Sequence, residues 1–157
     1  MQDIVNKVHK LLIKSNKKIA VAESCTGGLL SKLLTDLSGS SNYFILGIVA
    51  YSNQAKVINL GVPSNLINNK GAVSKEVASK MALEVRKHAR TDIGIAITGI
   101  AGPTGGTPQK PVGTVFIALD SKKKKICRRF NFRGSRNIVR KNAALKAIEI
   151  LIALLNS

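Results

Sequence analysis

Val5, Val8, Leu11 and Leu12 recur three and four residues apart, while Lys7, Lys10 and Lys14 take intervening positions. That spacing predicts an amphipathic helix ending near Ser15, because residues so spaced share one helical face. The short apolar run Lys18–Ala22 reads as a buried strand, and Thr26-Gly27-Gly28 follows it. Leu29, Leu30, Leu33, Leu34 and Leu37 then form a second helical stripe. Tyr43–Tyr51 is rich in β-branched and aromatic residues and predicts a second strand. Ser52–Leu60 predicts a short helix, closed by Gly61 and Pro63.

Ser74 followed by Lys75-Glu76-Val77 has the form of an N-cap with a carboxylate in the first turn. Val77, Met81, Leu83, Val85 and Ala89 carry that helix to about Arg90. Ile93–Thr98 and Thr114–Leu119 predict two more strands. Lys125–Phe132 alternates like a strand at an antiparallel edge. Ile138, Leu145, Ile148, Leu151, Ile152 and Leu155 predict a closing helix. Interleaved helices and mostly continuous apolar strands, covered on both faces, predict a three-layer α/β/α sandwich in one domain over residues 1–157.

Composition narrows this picture. Aromatic residues are 4% of the chain and tryptophan is absent, so the core must be built from Ile, Leu, Val and Ala. Cys25 and Cys127 have no CxxC or Cys/His spacing, and the eight carboxylates form no DxD or HxxE cluster. Neither a metal nor another cofactor is expected. No apolar run reaches the length that crosses a bilayer, and Asp3, Lys7, His9, Lys10 and Lys14 make the first segment unlike a signal peptide, so the expected location is the cytoplasm.

The formal charge of +17 is the largest compositional departure. Such an excess favours anionic ligands and nonspecific nucleic-acid contact. The lysines are spread along the chain, however, apart from Lys122–Lys125, which reads as a solvated turn. With few aromatics for stacking and no recognised nucleic-acid motif, the expected partner is a small molecule rather than a nucleic acid.

Three segments can carry chemistry. Ala22-Glu23-Ser24-Cys25-Thr26-Gly27-Gly28 lies between a strand and a helix, where open α/β sheets bind ligands. The local residues fit several roles. N–H groups of the turn could hold a phosphate or form an oxyanion hole beside Ser24, and Ser24 or Thr26 could simply cap the helix. Cys25 is an alternative nucleophile or a small core residue. In the second segment, Lys56 lies one helical turn past a strand end, near Tyr51. Serine needs a base, and the only histidines, His9 and His88, fall among charged residues of amphipathic helices and read as solvated. A lysine with a lowered pKa can take that role; the alternative is that Lys56 is solvated like most lysines of this chain. The third segment, Thr98–Thr114, has five glycines between Gly99 and Gly113, with Lys110 among them. It is not a P-loop, and it suits a loop wrapped around an anionic ligand; a merely disordered loop is the alternative.

Taken in order, these segments, with Val49-Ala50-Tyr51-Ser52-Asn53, Gly71-Ala72-Val73-Ser74 and Lys110-Pro111-Val112-Gly113-Thr114, resemble the CinA C-terminal family over about residues 4–155. The resemblance implies a three-layer α/β/α fold with a mixed sheet of about five strands. It implies an amidohydrolase that converts nicotinamide mononucleotide to nicotinic acid mononucleotide and ammonia, with a tendency to form homodimers. Ser24 would be the nucleophile, with Tyr51 and Lys56 assisting its deprotonation. Thr26, Gly27, Gly28, Ser41, Thr98, Gly99 and Gly102 would position the substrate. Gly134-Ser135-Arg136-Asn137-Ile138-Val139-Arg140 matches a Gly-x-Arg-x-x-x-Arg stretch, placing Arg136 and Arg140 on the substrate phosphate. Ser135 stands where that family often has aspartate. Many members carry an added nucleotide-pyrophosphatase domain, whose activity is not expected of these residues. A nucleotide-binding or nucleic-acid-associated module without catalysis is the rival reading.

Overall fold

In the computed structural model, which describes residues 1–157, the N-terminal helix α1 (Gln2–Ser15) buries Val5, Val8 and Leu12 as the periodicity requires. Asn16 ends it in the left-handed conformation. Strand β1 (Ile19–Glu23) is buried throughout, and α2 (Leu29–Thr35) follows it. Strand β2 (Phe44–Val49) leads to α3 (Asn53–Leu60), α4 (Ser64–Lys70) and α5 (Lys75–Ala89). Strands β3 (Ile93–Gly99), β4 (Thr114–Ser121) and β5 (Lys125–Asn131) precede α6 (Arg136–Leu155).

The sheet order is β2-β1-β3-β4-β5. Strands β1, β2 and β3 run parallel, whereas β4 and β5 are antiparallel additions. The chain leaves β1 for β2 on one side and reaches β3 on the other. That divergence opens a crevice at the carboxyl end of β1, the place where such sheets bind ligands.

The sheet separates two cores. Ile19 and Val21 of β1, Ile93, Ile95 and Ile97 of β3, and Val115, Ile117 and Leu119 of β4 face α1, α2 and α6. Ala20, Ala22, Ala96 and Ala118 face α5, with Phe116 the large exception. The apparently continuous apolar strands therefore conceal a period-two alternation of large and small side chains. Small residues let α5 press close: a Cβ on Gly94 would lie 2.0 Å from the Ala82 carbonyl oxygen.

Two departures from the sequence reading have simple causes. Helix α4 was not expected, because Leu66 and Ile67 are adjacent, only Ile67 is buried, and the other five residues are polar. Strand β2 is not covered on both faces: it is an edge, and alternate residues Ile45 and Val49 are each 48% exposed. Its β-branched composition reports strand conformation but not the number of neighbours. No helix is long and apolar enough to cross a membrane.

Candidate functional site

Ser24 follows the last residue of β1, and its N–H donates to the Ile97 carbonyl of β3 (3.0 Å), holding it at the crevice. The preceding residue sets the shape of the turn. Glu23 is fully buried, and its carboxylate accepts from the N–H groups of Gly28 (3.1 Å), Leu30 (3.0 Å) and Ser31 (2.8 Å) and from Ser31 Oγ (2.7 Å). It thereby satisfies the donors that a helix start leaves unpaired and lies against the positive end of the α2 dipole. The sequence reading missed this residue and overestimated the N–H groups that α2 could offer a ligand. Gly27 donates to the Ser24 carbonyl (3.0 Å), so the backbone donors left beside the hydroxyl are those of Cys25 and Thr26.

The turn needs its glycines: Gly27 (φ +59°) and Gly28 (φ +96°) are left-handed, and a Cβ on Gly27 would stand 3.0 Å from Arg140 Nη2. Arg140 donates from Nη2 to the Thr26 carbonyl (3.0 Å). Its Nε and the Thr26 hydroxyl are buried without partners, at the same end of the sheet as Ser24. Buried polar atoms are seldom left so, and the Thr114 hydroxyl at the start of β4 is a third such atom.

Lys56 enters from α3. Ser52 caps that helix by accepting from Ala55 N–H (3.0 Å), and the first turn directs Lys56 inward, where the residue is only 2% exposed. Nζ lies 3.0 Å from Ser24 Oγ, 3.0 Å from the Ala50 carbonyl and 3.3 Å from the Tyr51 carbonyl. No carboxylate pairs with it, and burial pushes its pKa below the ordinary lysine value. The attraction of a Cys25 thiolate opposes that shift only weakly, because burial pushes the Cys25 thiol itself up to about 12. Cys25 is a core residue among the α1/α2/α6 cluster and not an ionised nucleophile.

Tyr51 is placed differently from expectation. The residue is 56% exposed, and its hydroxyl accepts from Arg136 Nη2 (2.6 Å) rather than serving Ser24; its backbone carbonyl is what reaches Lys56. Arg136 also donates to the Gly102 carbonyl (2.8 Å), tying α6 to the glycine-rich loop. Ser135 caps α6 by accepting from Ile138 N–H, a role that aspartate fills equally well. Thr98 is buried at the end of β3 and donates to the Ala72 carbonyl (2.9 Å). Gly99 packs so closely on β4 that a Cβ would meet Val115 Cγ2 at 2.7 Å, and one on Gly102 would meet Val112 Cγ1 at 2.4 Å.

Ser41 does not belong to this constellation. It lies in the turn before β2, and because β1 and β2 are parallel, that turn is at the opposite end of the sheet from Ser24. The loop after Thr98 is ordered by cross-links to its neighbours. Arg129 Nη2 donates to the Gln109 carbonyl (2.7 Å), and Lys110 Nζ donates to the Lys70 carbonyl (3.1 Å). His88 is exposed as expected, but His9 is half-buried. The Tyr43 hydroxyl donates to the Leu34 carbonyl (2.8 Å), so its oxygen accepts from His9 Nδ1 (3.0 Å) and fixes that tautomer.

Fold and geometry thus define a mixed-sheet α/β sandwich with a buried serine–lysine pair at its strand-order switch. Residues 1–155 match the CinA C-terminal domain, and the chain belongs to that family. It is 51% identical over 141 residues to a CinA-like protein of Geotalea daltonii, covering 90% of this chain and 34% of that protein. It is 50% identical over 145 residues to a CinA-like protein of Syntrophus aciditrophicus, covering 92% and 34% respectively. The chain thus spans about a third of the length of these relatives. Among solved structures, the competence/damage inducible protein CihA from Agrobacterium tumefaciens superposes with a TM-score of 0.95 at 34% identity, covering 99% of this chain and 94% of that one. A CinA superfamily protein from Klebsiella pneumoniae gives 0.94 at 31% identity, covering 98% and 96%.

Proposed function

We propose that this domain hydrolyses the carboxamide of nicotinamide mononucleotide, with Ser24 as nucleophile and Lys56 as its base. The observation that carries the reading is the buried Lys56 amine, 3.0 Å from Ser24 Oγ. A neutral amine has two N–H donors and one lone pair. The Ala50 and Tyr51 carbonyls accept the two donors, which turns the lone pair toward the serine hydroxyl. An ammonium here would be desolvated with no carboxylate to offset it.

In the first half-reaction Ser24 Oγ bonds to the amide carbon while its proton moves to Lys56 Nζ. The Cys25 and Thr26 N–H groups face the developing oxyanion. Lys56 returns the proton to the nitrogen, the C–N bond breaks, and ammonia leaves an ester on Ser24. Water, deprotonated by Lys56, then adds to the ester carbonyl, and the acid departs as Ser24 recovers its proton. Support for the substrate comes from the ordered motifs of the family resemblance and from Arg136 and Arg140, whose guanidinium groups suit a phosphate at the rim. Because Glu23 fills the start of α2, the phosphate is assigned to these arginines and not to the helix end.

The test is ammonia release from purified protein given nicotinamide mononucleotide, beside Ser24→Ala. Release by the parent and a loss of about a thousand-fold or more in the variant is the expected result. Well-folded parent protein that releases no ammonia overturns the reading.

A further inference from the structure

The cations scattered along the sequence are gathered by the fold. The end of the sheet opposite Ser24 is formed by the starts of β1, β2 and β3 and by the β4–β5 turn. Lys14, Lys17 and Lys18 arrive there between α1 and β1, and Arg86, Lys87 and Arg90 arrive at the end of α5. Lys122, Lys123 and Lys124 occupy the turn itself, and Lys125 opens β5. A groove of about 470 Å³ joins Lys17 and Asp92 to Lys122, Lys123 and Lys124, so these segments are true neighbours. Lys122 also borders a second hollow with Arg86, Lys87 and Arg90.

Few carboxylates answer this charge. Asp120 is buried against Arg86 (2.6 Å), which removes that arginine from the surface field, and lies 4.0 Å from Lys125. Asp92 accepts from the Lys18 N–H (2.8 Å) and lies 3.8 Å from Lys17. Lys14, Lys87, Arg90, Lys122, Lys123 and Lys124 are exposed and form no ion pair. Cations near the ends of α1 and α5 offset the negative ends of the helix dipoles. The three lysines of the β4–β5 turn share their groove with Leu154, Leu155 and Ser157 at the carboxyl end of α6, so three helix ends converge on one pole that still holds six cations without an ion pair.

We propose that this pole is a sequence-nonspecific docking surface for the phosphate backbone of duplex nucleic acid. From the strand order, β1 to β5 spans three strand spacings, about 14 Å. Over that distance a duplex presents about eight phosphate charges. Of the exposed large apolar side chains, Ile13 and Ile45 lie near this end and Ile58 borders Lys87, single residues on three different elements that leave an anionic bilayer little to anchor on. The aromatic side chains at this end are Tyr43, which is buried, and Phe44, which is half-buried, so no exposed ring is offered to unpaired bases.

The test is fluorescence anisotropy of a labelled 20-base-pair DNA duplex with the full chain, at about 50 and 200 mM salt. Six phosphate contacts predict a weakening of about a thousand-fold across that range. Lys122→Gln/Lys123→Gln/Lys124→Gln, changes confined to an exposed turn, should lower affinity at least about tenfold and flatten the salt slope by about three. Lys7→Gln/Lys70→Gln/Lys141→Gln removes equal charge elsewhere and should change affinity by less than about twofold. Equal losses in the two triple variants, or binding that salt does not weaken, overturn the proposal. So does tighter binding to a single strand of the same length, or to phosphatidylglycerol vesicles, with the same three turn lysines responsible.

Discussion

Lys56 reaches Ser24 along a buried side chain, and its protonation state decides what the pair can do. Burial places its pKa below 10.5, so the neutral, base-competent form gains as pH rises through the lowered value. The acylation rate should therefore rise with pH and level off below the ordinary lysine range, as a pre-steady-state pH profile would record. Lys56→Met should abolish that rise along with turnover. The same shift acts on folding: the unfolded chain binds the Lys56 proton more tightly, so stability should climb with pH between the lowered value and 10.5. Denaturant midpoints across that window should lose this part of their slope in Lys56→Met. Tyr51→Phe is expected to cost less than Lys56→Met, because the hydroxyl faces Arg136 and the useful group is the carbonyl. Of these residues Ser24 and Lys56 were legible through the ordered motifs of the family resemblance, since alone a strand-end serine also reads as a helix cap and a lysine one turn into a helix as solvated. Glu23 was not, because nothing local shows that its carboxylate curls back onto α2. Ser41 was misplaced for the converse reason: a motif position says nothing about which end of a parallel strand pair it occupies.

Helix α2 is held by that carboxylate as well as by its own short leucine stripe. Glu23→Ala removes the partner of three backbone donors and one hydroxyl and should cost about 3 kcal/mol, measured by urea denaturation. Glu23→Gln keeps the size but brings an NH2 group against N–H donors. It should lower kcat more than it raises KM, because it disturbs the Cys25–Thr26 donors rather than the arginine rim. Most elements were readable because their apolar periods match their environments. Helix α4 was not, since one buried Ile67 in seven residues gives no stripe. The edge position of β2 was also hidden: β5 advertises its edge with Lys125, Arg128 and Arg129, while β2 carries no charge at all.

Across the whole molecule, the formal charge of +17 makes a field that extends beyond any single site. An anionic substrate should be drawn toward the protein, so kcat/KM for the mononucleotide should fall several-fold as ionic strength rises from about 50 to 500 mM, with kcat changing little. The two cores differ in another way. On one side of the sheet, branched aliphatic side chains fill a thick layer beneath α1 and α6. On the other, Ala20, Ala22, Ala96 and Ala118 hold α5 almost against the backbone, and Gly94 touches it. Mutational tolerance should divide along the same plane. Under selection for folded protein, the thick side would drift among Ile, Val, Leu and Met with small penalties. The thin side would accept almost no enlargement, and even Gly94→Ala would force α5 outward. Substitutions at alternate residues of a single strand would thus meet opposite fates, a zebra pattern in any saturation library, with α5 the last helix free to change its seat.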